Sequence, residues 1–97
     1  MTKVQQISSI LLKNKISLHK KYYVKQIGIF GSYIRGEQKK NSDLDILIDF
    51  SKPIGLLKFV ELENYLSRLC KAKIDLVMKS ALKPMIGRKI LQEVVYL

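Results

Sequence analysis

Asp43 and Asp45 are two residues apart in the segment Asp43-Leu44-Asp45-Ile46-Leu47-Ile48-Asp49-Phe50. Its apolar residues alternate with the others, as in a strand with one face on a core. Alternate strand residues share a face with Cα atoms ~6.5 Å apart, so these two carboxylates can converge on one cation or on a pair ~3.5–4 Å apart. Like charges side by side are unfavourable without a cation, and hard oxygen donors suit Mg²⁺ or Mn²⁺ better than zinc. Alone, the pair reads more readily as solvated acids at the start of a strand. Upstream, Gly31-Ser32 closes another apolar run. Gly31 lets the backbone approach a ligand, and Ser32 opens a turn whose first N–H groups lack internal partners and can bind phosphate. A Gly-Ser pair alone could be a simple N-cap after a strand. A phosphate binder and a pair of metal-ligating acids at one end of a sheet are what nucleotidyl transfer needs. Asp75 is a third strand acid, opposite Ile74 and Leu76, able to complete a cation shell, orient an attacking group or take its proton. Asp49 shares the face of Asp45 but lies ~13 Å further on, outside this site.

The elements that must position these residues follow from periodicity. Val4, Ile7, Ile10 and Leu11 form a helical stripe over 2–14, opened by a Thr2–Gln5 capping box. A short helical piece is expected over 17–23. Residues 24–30 form a strand apolar on both faces, ended by Gly31-Ser32. Residues 33–35 make one helical turn, with Ser32 as N-cap and Gly36 as the stop. The second strand carries Asp43 and Asp45, and Pro53 and Gly55 end it. Leu56, Phe59, Leu62, Leu66 and Leu69 mark a long helix over 56–70. A third strand spans 73–78. A last helix follows Pro84, with Leu82, Ile86, Ile90 and Val94 as its inward stripe. The expected architecture is α/β (α+β): a small mixed sheet with helices packed on one face. The short 32–42 connection suits antiparallel strands, and the helical 53–72 crossover suits parallel ones.

Ninety-seven residues imply a single domain over 1–97, with room for one site and no template-reading module. Eighteen Lys+Arg against 8 Asp+Glu give a formal charge of +10, which attracts polyanions and leaves RNA open as a ligand. The lysines are scattered, as on a solubilising surface. The single cysteine, Cys70, excludes an internal disulfide and a thiolate zinc site, and its helical position fits packing. No segment reaches the ~18 apolar residues of a membrane span, and no secretory signal opens the chain, so the cytoplasm is expected. His19 has no ligand-spaced partner.

The stretch G-S-Y-I-R-G-E…N-S-D-L-D-I-L-I-D resembles the signature of the polymerase-β-type nucleotidyltransferase superfamily, and more narrowly the minimal nucleotidyltransferase (MNT) domains. The similarity continues through Gly55–Glu63, Lys73–Val77 and Ala81–Tyr96, over most of the chain. It implies a polymerase-β-like fold that binds ATP with two Mg²⁺ ions. Gly31 and Ser32 would handle the triphosphate. Asp43, Asp45 and Asp75 would be the catalytic, metal-holding acids, Asp75 also helping to activate the acceptor. Arg35 and Gly36 match the family's R-G, where the arginine buttresses the loop. Tyr33 departs from a position that often carries a basic residue. MNT domains are commonly antitoxins whose partner is a HEPN-domain ribonuclease toxin. The resemblance therefore implies a protein adenylyltransferase moving AMP from ATP to a toxin tyrosine with release of pyrophosphate. The alternatives are an antitoxin acting by contact alone, or a nucleotidyltransferase acting on RNA or a small molecule.

Overall fold

The computed structural model describes residues 2–97. The helices α1 (Lys3–Lys13) and α2 (Lys15–Tyr22) lead into strand β1 (Val24–Phe30) and a single helical turn, α3 (Ser32–Arg35). Strand β2 (Leu44–Phe50), helix α4 (Leu56–Cys70), strand β3 (Ile74–Met78), helix α5 (Pro84–Glu93) and a two-residue strand β4 (Val95–Tyr96) complete the order. The sheet runs β3-β2-β1-β4. β1 is antiparallel to both β2 and β4, and β2 is parallel to β3, as the connection lengths imply.

One face of the sheet is wholly apolar because strand side chains alternate. Ile27, Ile29, Leu44, Ile46, Ile48, Ile74 and Leu76 meet Ile7 and Leu11 of α1, Leu18 of α2, and Leu62, Leu66 and Cys70 of α4. Each fully buried Ile or Leu contributes roughly 1.5–3 kcal/mol, so this cluster fixes where the strands lie. Burial also pushes the Cys70 thiol up to about 11, which keeps it an inert packing residue. The Thr2–Gln5 capping box is present, with Gln5 N–H donating to Thr2 Oγ1 at 3.1 Å and Thr2 N–H to Gln5 Oε1 at 2.9 Å. His19 Nδ1 lies 3.1 Å from the Val24 carbonyl, at the junction of α2 and β1.

The other face carries Phe30, Asp45, Leu47 and Asp75, and the C-terminal segment approaches it. A Cβ on Gly28 would stand 2.6 Å from Val94 Cγ2, so the glycine lets residues 94–96 lie flat against β1. Leu97 N–H donates to the Ile27 carbonyl at 2.9 Å and secures that contact. Helix α5 differs from expectation. Its predicted inward residue Ile86 is 64% exposed and Met85 is 87% exposed. Gly87 is the only buried residue of α5, packed on Leu82. The helix stands over a cleft instead of completing the core. Among the described residues, no helix is long and apolar enough to cross a membrane.

Candidate active site

β1 delivers the first component. The chain leaves Phe30 through Gly31 at φ +78°, ψ −153°, a conformation open to glycine and costly for other residues. Gly31 is therefore the N-cap of α3, one residue earlier than the Ser32 expected from sequence, and no side chain caps this turn. Gly36, at φ +71°, stops it as expected. The Gly31 carbonyl accepts from the N–H groups of Ile34 and Arg35 at 3.0 and 3.1 Å. That leaves the amides of Ser32 and Tyr33 as the ones a short turn cannot satisfy internally. Tyr33 itself is buried in the core, so its ring anchors the turn and does not line the cleft.

Strand pairing delivers the second component. Phe30 pairs with Asp45 across β1–β2, which sets the Gly31 turn beside that carboxylate. A methyl group on Gly31 would overlap Asp45 Oδ2. Asp45 in turn pairs in register with Asp75 across the parallel β2–β3 ladder, so both point to one face. Burial pushes the Asp45 carboxyl up to about 6. The charge of Asp75, a hydrogen bond with Asp75 and the charge of Asp43 add to the effect, and Arg35 partly offsets it. Asp43 precedes β2 and lies 3.9 Å from Lys73 Nζ in a solvent-exposed pair worth little. Asp49 lines a separate hollow with Lys52 and Ser80, away from the other acids.

The donor set tests whether a divalent cation belongs here. Among the described residues, no three His, Cys, Asp or Glu side chains form a ready-made cage. The close pair is Asp45 with Asp75. Their hard oxygens and the raised Asp45 carboxyl mark a place where added positive charge is favourable. The oxygens of Asp45 and Asp75 suit a Mg²⁺-type ion, while Asp43 is turned to Lys73.

Helix α5 supplies two residues that periodicity did not single out. Glu93 Oε2 accepts from Gly31 N–H at 2.7 Å, and Glu93 Oε1 accepts from Arg35 Nη1 at 2.7 Å. The Arg35 hydrogen bond holds the Glu93 carboxyl below the usual range, and the Gly31 N–H adds to this against the cost of desolvation. Arg35 also donates from Nε to Glu37 Oε1 at 2.6 Å, so it braces the loop. Lys89 lines a cleft of about 550 Å³ between α5 and the sheet, with Gly31, Arg35, Asp45 and Glu93. The one available signal was chemical: Glu93 is the only acid in 84–97 of this basic chain. A second cleft, of about 660 Å³, is lined by Lys3, Lys39, Lys40, Lys71 and Lys73 with no carboxylate.

Comparison with known proteins follows the same lines. The nucleotidyltransferase domain profile matches residues 11–97. The chain is 51% identical over 96 residues to the protein adenylyltransferase MntA of Thermococcus cleftensis, covering 99% of this chain and 97% of that one. It superposes with TM-score 0.71 at 22% identity on a toxin–antitoxin complex with AMP-PNP, covering 99% of this chain and 72% of that one. With TM-score 0.62 and 18% identity it matches a complex of a tri-AMPylated Shewanella oneidensis HEPN toxin with an MNT antitoxin, covering 97% of this chain and 67% of that one. At these identities the two structures speak for the fold.

Proposed function

The chain belongs to the nucleotidyltransferase domain family, and on that premise we propose that it is an antitoxin that transfers AMP from ATP to a tyrosine hydroxyl of a partner HEPN-domain toxin. The observation that carries this reading is the in-register pair Asp45–Asp75 beside the Gly31 turn. The 51%-identical relative is named for the same activity, and the fold neighbours include complexes of antitoxin with toxin. Exposed Met85 and Ile86 on α5 give a protein partner an apolar surface beside the cleft.

In this reading the Ser32 and Tyr33 amides and the Ser32 hydroxyl hold phosphate oxygens. Asp43, Asp45 and Asp75 hold Mg²⁺, which when bound supplies charge stabilisation to the entering and leaving oxygens. Asp75, exposed on edge strand β3, accepts the tyrosine proton. The tyrosine oxygen forms its bond to the α-phosphorus as the bond to the β-phosphate oxygen breaks, and pyrophosphate leaves. Lys89 places positive charge along the cleft. Lys89→Glu is therefore expected to raise KM for ATP about tenfold or more with a smaller change in kcat, the loss of one charge-assisted contact. Initial rates over an ATP series check this, and an unchanged KM removes Lys89 from the nucleotide site.

The test of the function is incubation with the partner toxin, Mg²⁺ and ATP labelled at the α-phosphate. Label on a toxin tyrosine, lost in Asp43→Ala, is the expected result. An unlabelled toxin that Asp43→Ala still neutralises would mean neutralisation by contact. The five-lysine cleft favours one further acceptor, RNA. Label appearing on RNA and not on toxin would redirect the assignment, and RNA affinity would then fall steeply with salt.

A further inference from the structure

We propose that Glu93 is a positioning residue that clamps the phosphate-binding turn from the end of α5; this rests on the nucleotidyl-transfer reading above. Its two oxygens hold two different groups, the Gly31 amide and the Arg35 guanidinium, each at 2.7 Å. An exposed ion pair would contribute little. Here the Glu93 side chain is 24% exposed and that of Arg35 50%, and the carboxylate closes on a backbone donor as well as a side chain. Nor is the contact a by-product of helix packing, because α5 places no residue in the main core. The carboxylate reaches across the cleft to both ends of one turn, the Gly31 amide beside Asp45 and the Arg35 guanidinium.

The clamp is compatible with a bound triphosphate. Gly31 N–H precedes the Ser32 and Tyr33 amides, which the turn leaves open. Arg35, which Glu93 shares with Glu37, partly offsets the Glu93 charge, so the carboxylate does not repel an anion at full strength. Glu93 therefore holds the turn in the shape that points Ser32 at the phosphate, and stays in place when nucleotide binds. Without it, Gly31 loses the acceptor that holds its unusual backbone conformation, and the turn loses its fixed relation to Asp45.

The experiment compares the wild-type chain with Glu93→Ala and Glu93→Gln. The readouts are the Kd of a non-hydrolysable ATP analogue with Mg²⁺ by calorimetry, the kinetic constants for AMP transfer, Tm, and hydrogen exchange at the Gly31 amide. Glu93→Ala is expected to weaken analogue binding about tenfold or more and raise KM for ATP in step, with a smaller loss in kcat. Glu93→Gln keeps an oxygen for Gly31 N–H and is expected to recover most of that loss. In the wild type the Gly31 amide stays protected when the analogue binds. A lower Tm in Glu93→Ala with unchanged Kd and KM overturns the proposal, since the contact is then only structural. Tighter analogue binding in Glu93→Ala also overturns it, because Glu93 would then compete with phosphate. If Glu93→Ala does not fold, Glu93→Gln and wild-type exchange decide: Gly31 deprotected by the analogue counts against the clamp. A wild-type chain that neither binds analogue nor transfers AMP sinks the transfer reading and the clamp with it. A wild type that does both, beside an indifferent Glu93→Ala, sinks the clamp alone.

Discussion

Asp45→Asn is expected to yield a protein that is more heat-stable than the parent in the absence of metal and has lost AMP transfer by at least about a thousandfold. The two effects share a cause. Asp45 sits in a partly desolvated position beside Asp75 and near Asp43, and its carboxyl is pushed up to about 6 from the ordinary 3.8. An acid whose folded pKa exceeds its unfolded one contributes most to stability below the unfolded value. That contribution is lost as pH rises through about 6. At pH 7.5 the ionised carboxylate therefore opposes folding, by about 1 kcal/mol once solvent screening is allowed for. Asparagine removes that charge at nearly constant volume, so Tm in EDTA should rise by roughly 4–8 °C. The same charge is what a divalent cation needs, so transfer is lost.

The pH dependence is a separate expectation from the same shift. In the wild type, saturating Mg²⁺ should raise Tm more at pH 7.5 than at pH 5, where Asp45 is already protonated and binds cation poorly. In Asp45→Asn the Mg²⁺ effect should shrink at both pH values. Scanning calorimetry at the two pH values, with and without metal, reads all four quantities. A wild-type Mg²⁺ shift of equal size at pH 5 and 7.5 would show that Asp45 is not the titrating ligand. An active Asp45→Asn would remove Asp45 from the metal site.

Particular residues show how far the sequence alone reaches. β1, β2, β3 and α4 are legible because each carries a complete period, two for the strands and three-to-four for the helix. Strand geometry gives Asp43 and Asp45 a shared face as an expectation, whereas β2 opens at Leu44 and its ladder holds only Asp45. That Asp75 falls beside Asp45, and not one step along, is a matter of β2–β3 register. Long-range packing of Ile74 and Leu76 sets that register, and no local pattern encodes it. β4 has two residues and no period to read. Helix α5 forms as expected, but its residue Ile86 does not turn inward, for a related reason. Ile86 and Ile90 have helical spacing, but spacing does not say what the stripe faces, and here it borders an open cleft. The partnership of Glu93 with Gly31 spans 62 residues and depends on where α5 ends, so it becomes visible only in three dimensions.

Gly31→Ala is expected to cost both stability and at least about a hundredfold in transfer, and the two losses can be traced to separate atoms. The backbone at φ +78°, ψ −153° lies where only glycine is comfortable, at a cost of roughly 1–3 kcal/mol for alanine. The new methyl would also overlap Asp45 Oδ2, so the Asp45 carboxylate must swing away from its place over the turn. That second displacement is what harms catalysis, because it separates the metal-ligating acid from the phosphate-binding amides. A double-mutant cycle with Asp45→Ala distinguishes the two contributions. Truncating Asp45 removes the overlapping oxygen but leaves the backbone strain. Gly31→Ala should therefore cost about 1 kcal/mol less in the Asp45→Ala background than in the wild type, measured by urea unfolding. An equal cost in both backgrounds would assign the glycine to backbone conformation alone. Transfer within about threefold of wild type in Gly31→Ala would break the link between the turn and Asp45 on which the site is built, since neither group would then need the other's position.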